Sequence, residues 1–186
     1  MSVQTAKRYF NVAEYYRMGE AGILSENDRV ELIEGEILEM SPIGSRHSAC
    51  VKRLNALLGR LVSQNIIVSV QDPIRLDDYS EPQPDVALIR AREDFYAEGH
   101  PAAADVLLVI EVADTSVDYD RDVKVPLYAR AAIPEVWLVA LPDDSIEIYT
   151  GLQDGSYREF RQAKRGESIV SQTISALTLS VDTILG

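Results

Sequence analysis

The chain has 186 residues, 46% hydrophobic and 26% charged, which excludes a disordered protein and predicts a single domain over residues 1–186. The net charge of −12 argues against a protein that binds nucleic acid through a uniformly basic surface. One cysteine, Cys50, excludes an internal disulfide, and no apolar stretch is long enough to cross a bilayer or resembles a signal peptide, so we expect a cytoplasmic protein without membrane association.

The chain begins with segments that predict a helix followed by a hairpin. Asn11 is a favourable N-cap for a helix that ends near Gly19. Two apolar segments, 29–33 and 36–40, flank an acid-glycine pair and predict antiparallel strands, because glycine adopts the positive φ of a tight turn.

A second predicted helix, over 47–63 with Ser45 as its cap, carries a local basic region. No acid occurs between Glu39 and Asp72, whereas the window contains Arg46, Lys52, Arg53 and Arg60. The three arginines are seven residues apart and share a helical face. That face is either an ordinary solvated surface or a contact for nucleic-acid phosphates, and Arg46 and Arg53 are the candidates for the second role.

The rest of the chain predicts a sheet with helices on its faces. Strands are predicted at 66–70, with an extension over 74–76, and at 84–89, 105–113, 135–140, 145–149 and 157–160. Helices are predicted at 91–97, 118–131 and 181–185, and Pro126 is expected to kink or delimit the second of them. Strand 105–113, the next helix and strand 135–140 form a right-handed βαβ unit. The order predicts an α/β or α+β fold, a mixed β-sheet flanked by helices.

The most informative residue is Glu111, an acid within the apolar strand 105–113. Both faces of that strand are apolar, so it is expected to be fully buried. A buried carboxylate loses its hydration at a cost of several kcal/mol unless a cation or hydrogen-bond donors replace the water. Glu111 is therefore expected to have a partner.

Asp85, at the start of another apolar strand, and Lys124, on the following helix, supply a candidate constellation with Glu111. Two carboxylates on neighbouring strands, with the carbonyl of Val112, offer the oxygen ligands that Mg²⁺ or Mn²⁺ prefers. Lys124 can orient a water or offset charge in a transition state. Tyr128 lies four residues further along the helix and is expected to close the pocket.

These residues also have structural interpretations. Asp85 can simply begin a strand, Glu111 can form a buried salt bridge, and Lys124 can pair with Asp120 one turn earlier. His47 is either a helix-terminal histidine or a group that contacts phosphate or moves a proton. Cys50 is expected in the core, not as a nucleophile.

Three segments resemble the Uma-two family in order and spacing: 105–112, then Asp120, Lys124 and Tyr128 at every fourth position, then 133–139. The resemblance extends over nearly the whole chain and includes 31–35, 40–42, His47 and 83–85. Members of this family are restriction-endonuclease-like proteins with a PD-(D/E)XK core.

The resemblance implies an α/β nuclease fold, a metal bound by Asp85 and Glu111, an additional acid at Glu31, and a homodimer. Ala113 stands where the E-x-K triplet has lysine, and the family often moves that lysine to the next helix, here Lys124. Asp114 and Ala140 also depart from the usual family residues.

The first functional hypothesis is a Mg²⁺- or Mn²⁺-dependent endonuclease that hydrolyses DNA, with Asp85, Glu111, Lys124 and Glu31 as catalytic residues. His47, Arg46, Arg53 and Tyr128 are its candidate nucleic-acid contacts. The second hypothesis is a non-catalytic binding or assembly module with a nuclease fold, which the negative net charge favours. A metal hydrolase acting on a small phosphate ester is a third.

Overall fold

A six-stranded mixed sheet dominates the computed structural model, which describes residues 6–25, 27–174 and 176–186. The strands are β1 Val30–Ile33, β2 Glu36–Glu39, β3 Ile66–Val70, β4 Val86–Arg90, β5 Val106–Ala113, β6 Val136–Ala140, β7 Ser145–Gln153, β8 Ser156–Lys164, β9 Ser168–Val170 and β10 Thr178–Ser180. The helices are α1 Val12–Glu20, α2 Ser45–Leu61, α3 Val117–Tyr119, α4 Val125–Arg130 and α5 Val181–Leu185. This architecture confirms the predicted α/β class.

The sheet order is β3-β4-β5-β6-β7-β8, and only the central pair β5–β6 is parallel. A parallel pair needs a crossover connection, which α3 and α4 provide. The predicted hairpin forms as β1–β2, and the short strands β9 and β10, which the sequence did not predict, pair with each other.

Two apolar clusters cover the two faces of the sheet, which explains why β5 is apolar on both sides. Leu108, Ile110 and Val112 face the cluster that contains α2 and α5. Val109 faces the other cluster, which contains Tyr128 of α4. Glu111 alternates with Val112 along the strand, so its side chain lies on the Tyr128 side.

Between α3 and α4, within the helix predicted over 118–131, the chain forms a π-helical turn, Asp120–Lys124, which the sequence did not predict. The amide of Val125 donates to the carbonyl of Asp120, five residues earlier. Pro126 occupies the first turn of α4, where its missing N–H costs little. The proline therefore delimits a helix, as expected, and π turns of this kind are frequent at functional sites.

Three local predictions were wrong. Gly44, not Ser45, is the N-cap of α2, and it provides no side-chain cap. Segment 91–97 forms turns, because Phe95 and Tyr96 adopt φ of 50° and 63°, which an α-helix does not allow. Segment 74–76 makes only an isolated bridge from Arg75 to Ala102 and does not extend β3.

Another buried acid, Glu135, lies immediately before β6 and is 0% exposed. Trp137 Nε1 donates to its Oε1 at 2.8 Å. Ser171 Oγ, Thr173 Oγ1 and the amides of 172 and 173 all donate to its Oε2 at 2.7–3.1 Å. These bonds satisfy the carboxylate without a cation and anchor the loop before β10 to the sheet.

None of the helices in the described parts of the chain has the length and apolar character needed to span a membrane.

Candidate active site

A cavity of about 580 Å³ opens beside the hairpin β1–β2, the start of α2, and the turn from β5 into α3. Its walls include all four predicted catalytic residues, Glu31, Asp85, Glu111 and Lys124, and the predicted nucleic-acid contact His47. Asp120 also lines it. The chain therefore brings these side chains, which are far apart in sequence, to one cavity.

Asp85 and Glu111 are held together by hydrogen bonds between their strands. The amide of Val112 donates to Asp85 Oδ2 at 2.9 Å, and the amide of Asp85 lies 3.4 Å from Glu111 Oε2. The ladder between β4 and β5 pairs Val86 with Ile110 and stops there, so Asp85 and Val112 lie just beyond its end. Both carboxylates consequently face the same cavity.

Lys124 is 6% exposed and forms ion pairs with two of the acids. Its Nζ lies 3.0 Å from Glu31 Oε2 and 3.4 Å from Glu111 Oε1. Glu31 Oε2 also accepts a hydrogen bond from the amide of Gln83 at 3.2 Å. Burial by itself would lower the pKa of Lys124, but the carboxylates of Glu111, Glu31 and Asp120 outweigh it and raise that pKa. Lys124 is therefore a permanent cation.

Two predicted contacts on this helix differ from the structure. Tyr128 is fully buried behind Glu111 and donates to its Oε1 at 2.6 Å, so it neither lines nor closes the cavity. Asp120 accepts a hydrogen bond from Ser116 at 2.6 Å instead of forming an ion pair with Lys124. The π turn accounts for this, since it changes the spacing that would place positions 120 and 124 one α-helical turn apart.

His47 contacts Asp85 directly, with 2.9 Å between Nε2 and Oδ2. This hydrogen bond is the main reason that the pKa of His47 is raised, and burial partly opposes it. The predicted histidine thus lies next to the carboxylate pair.

The two arginines predicted to contact nucleic acid point elsewhere. Arg53 donates to the main-chain carbonyls of Ile184 (2.9 Å) and Leu185, and thereby binds the end of α5 to α2. Arg46 pairs with Asp144 at 3.1 Å and remains half exposed. Neither lines the cavity.

The buried carboxylates outnumber the cations beside them. Glu31, Glu111 and Asp120 are buried and Asp85 is partly buried, whereas Lys124 is the buried cation beside them; His47 and the exposed Arg29 also line the cavity. Burial raises the pKa of Glu111 to about 8, with Lys124 opposing the shift and the charges of Asp120 and Asp85 adding to it. Burial likewise raises the pKa of Asp120. The cluster therefore has a deficit of positive charge.

The donor set suits a hard divalent cation that keeps part of its water. Among the described residues, no group of three or more His, Cys, Asp or Glu side chains is arranged as a metal site. Mg²⁺ commonly uses only one or two carboxylates with waters, and Asp85, Glu111 and the carbonyl of Val112 match that pattern. His47 Nδ1 and the Tyr119 hydroxyl are buried without a hydrogen-bond partner in the described part of the chain, and both residues line this cavity.

Gln71 is a cavity residue that the sequence analysis missed. Its Nε2 donates to Asp85 Oδ1 at 3.1 Å. The pairing of Val70 with Val86 places position 71 opposite position 85. The contact could therefore be predicted only from the register of β3 and β4, and the sequence analysis did not predict that register.

A mixed sheet with Asp85 immediately before β4 and Glu111 on the neighbouring strand β5, and Lys124 on the following helical segment, all beside one cavity, defines a restriction-endonuclease-like architecture. A family model described as "Putative restriction endonuclease", Uma2, matches residues 12–182, and the chain belongs to this family. The family resemblance inferred from the sequence is thereby confirmed.

Among solved structures, a crystal structure described as "a putative nuclease belonging to DUF820 from Anabaena variabilis ATCC 29413" has a TM-score of 0.68. It shares 17% identity with this chain, over 90% of this chain and 96% of that one, which establishes the common fold. A search of curated proteins finds no match.

Proposed function

We propose that this chain is a Mg²⁺- or Mn²⁺-dependent endonuclease that hydrolyses phosphodiester bonds of DNA. The observation that carries the proposal is that Asp85 and Glu111 line the same cavity. The amide of Val112, the residue after Glu111, donates to Asp85 and holds the two strands together there. The excess of buried carboxylates favours binding of a cation, and the membership of the Uma2 family favours a nuclease.

In this proposal Asp85, Glu111 and the carbonyl of Val112 hold the metal. When bound, the cation supplies positive charge to the phosphodiester and lowers the pKa of water. Lys124 stays protonated because its pKa is raised, so it acts as a positive charge and hydrogen-bond donor, not as a base. Glu31 keeps the Lys124 ammonium in place at 3.0 Å. His47, at the start of α2 and beside Asp85, is the candidate phosphate contact.

A cleavage assay tests the proposal. Supercoiled plasmid, linear duplex and single-stranded DNA are incubated with the protein in Mg²⁺, Mn²⁺ or EDTA, beside a control nuclease. We expect cleavage that requires the metal and falls at least 100-fold in Asp85→Asn and Glu111→Gln. Glu98→Gln, a matched change at an exposed acid, should cleave like wild type. Intact DNA in every condition, or full activity of Asp85→Asn, would overturn the proposal.

A second candidate, a non-catalytic binding or assembly module, has its own support. It requires Glu111 to be paired with a protein cation, and Lys124 lies 3.4 Å from Glu111 Oε1. However, Lys124 is shared with Glu31 and leaves Asp85 and Asp120 without an ion-paired lysine or arginine among the described residues. Calorimetric titration with Mn²⁺ separates the two candidates. An endonuclease should release or absorb heat on binding Mn²⁺, and Glu111→Gln should abolish that heat. A binding module should show no such heat. Homodimerisation and a cytoplasmic location stay predictions of the sequence.

A further inference from the structure

Gln71 contacts Asp85 through both its main chain and its side chain. Its amide donates to the carbonyl of Asp85 at 3.1 Å, which continues the β3–β4 ladder by one pair. Its side-chain Nε2 donates to Asp85 Oδ1 at 3.1 Å. The other carboxylate oxygen, Oδ2, is held by His47 and by the amide of Val112. Gln71 is thus the donor that fixes the remaining oxygen of Asp85.

The backbone of Gln71 is unusual for a residue with a side chain. Its φ is 57°, in the left-handed region that is unfavourable for residues other than glycine. Six other non-glycine residues in the described chain have positive φ, and none of them lines the cavity. Glycine would adopt this conformation without strain, but it would carry no amide. Backbone strain that persists where a side chain is needed is typical of functional sites.

We propose that Gln71 is a positioning residue, which orients the Asp85 carboxylate so that it and Glu111 can share one divalent cation. A terminal carboxylate rotates broadly about its last torsion when it is not held. With two donors on Oδ2 and one on Oδ1, Asp85 keeps one orientation, and the lone pair that remains on Oδ1 stays directed as a metal ligand requires. Groups that hold a ligand in this way typically affect metal affinity by 10–100-fold. The proposal rests on the metal-dependent function proposed above.

Two substitutions separate the effect of the Gln71 side-chain amide from the effect of its backbone strain. Gln71→Gly removes the amide and relieves the backbone, whereas Gln71→Met removes the amide but keeps the side-chain length and the strained φ. Both lose the hydrogen bond to Asp85, so both should bind Mn²⁺ at least tenfold more weakly by calorimetry. Their melting temperatures should differ, with Gln71→Gly at or above wild type and Gln71→Met below Gln71→Gly.

Ala132→Gly is the matched control, because Ala132 is exposed, lies outside the cavity and has φ of 63°. It should raise the melting temperature without changing Mn²⁺ affinity. If the affinity of the Gln71 variants is unchanged, or if it follows their melting temperatures, Gln71 has only a structural role and the inference is wrong.

The same titrations show which proposal has failed. Wild type that gives no Mn²⁺ heat sensitive to Glu111→Gln contradicts the proposed function itself. If wild type gives such heat and both Gln71→Gly and Gln71→Met bind Mn²⁺ as tightly as wild type, only the proposed role of Gln71 is contradicted.

Discussion

Glu111→Gln should stabilise the protein in the absence of metal, although it removes a residue of the proposed active site. Glu111 lies in a buried cluster that contains more carboxylates than cations, and burial raises its pKa to about 8, so the fold keeps this carboxyl mostly protonated at pH 7. Gln keeps the size of the side chain and can still accept the hydrogen bond from Tyr128. The substitution therefore removes the cost of keeping a carboxyl protonated in the fold at a pH where the unfolded chain ionises it, with little change in packing.

The size of the effect follows from the difference between the two pKa values. The pKa of Glu111 is about 8 in the fold against an ordinary value of 4.5, and each unit corresponds to about 1.4 kcal/mol. Protonated Glu111 contributes stability that is fully present below pH 4.5 and is lost as the pH rises to about 8. At pH 7 the loss is on the order of 3 kcal/mol, and Gln, which does not ionise, avoids it.

Urea denaturation of wild type and Glu111→Gln at pH 5, 6, 7 and 8 measures this difference. The advantage of the variant should grow with pH, because the stability that protonated Glu111 contributes is lost over this range and Gln does not titrate. Glu98→Gln should show no such trend because Glu98 is exposed. A variant that is less stable than wild type, or a difference that does not change with pH, would refute the electrostatic reasoning.

Three other substitutions test the fold and the site by the same denaturation assay. Lys124→Met should cost about 3–5 kcal/mol because it leaves buried carboxylates without their cation, and adding Glu111→Gln should recover part of that loss; strictly additive effects would contradict the coupling. Arg53→Met should cost about 1.5–3 kcal/mol by releasing the carbonyls at the end of α5, and anisotropy with labelled DNA should be unchanged; lost DNA binding at full stability would instead restore its predicted role in nucleic-acid contact. Glu135→Gln should cost about 2 kcal/mol and increase hydrogen exchange at 172–173, and protection equal to wild type there would show that Glu135 does not anchor this loop.

The fold was largely predictable because its strands are short apolar runs separated by turn residues. The predicted hairpin, the strand 66–70 and the terminal helix 181–185 all occur, the last two with the same bounds. The isolated acid in an apolar strand, Glu111, pointed to the cavity because burying a carboxylate without compensation is costly. Local patterns of this kind can be recognised in a single sequence.

The remaining features depend on three-dimensional contacts that no local pattern records. Arg53 has helical spacing typical of a surface residue, but α5 packs beside it, and the Arg53 guanidinium donates a hydrogen bond to the carbonyl of Ile184. Tyr128 shares the four-residue spacing of an active-site face, but the π turn helps to place it behind Glu111. Gln71 reaches Asp85 only through the register of β3 and β4. The register of β3 and β4 and the π turn before α4 therefore determine contacts that the sequence alone did not predict.

The central claim is that Asp85 and Glu111 bind one divalent cation together. Anomalous diffraction from a crystal soaked in Mn²⁺ measures this most directly. The account predicts an anomalous peak within bonding distance of a carboxylate oxygen of both residues, and no peak there in Glu111→Gln. A peak bound to only one of them, or none at this cavity at saturating Mn²⁺, would contradict it.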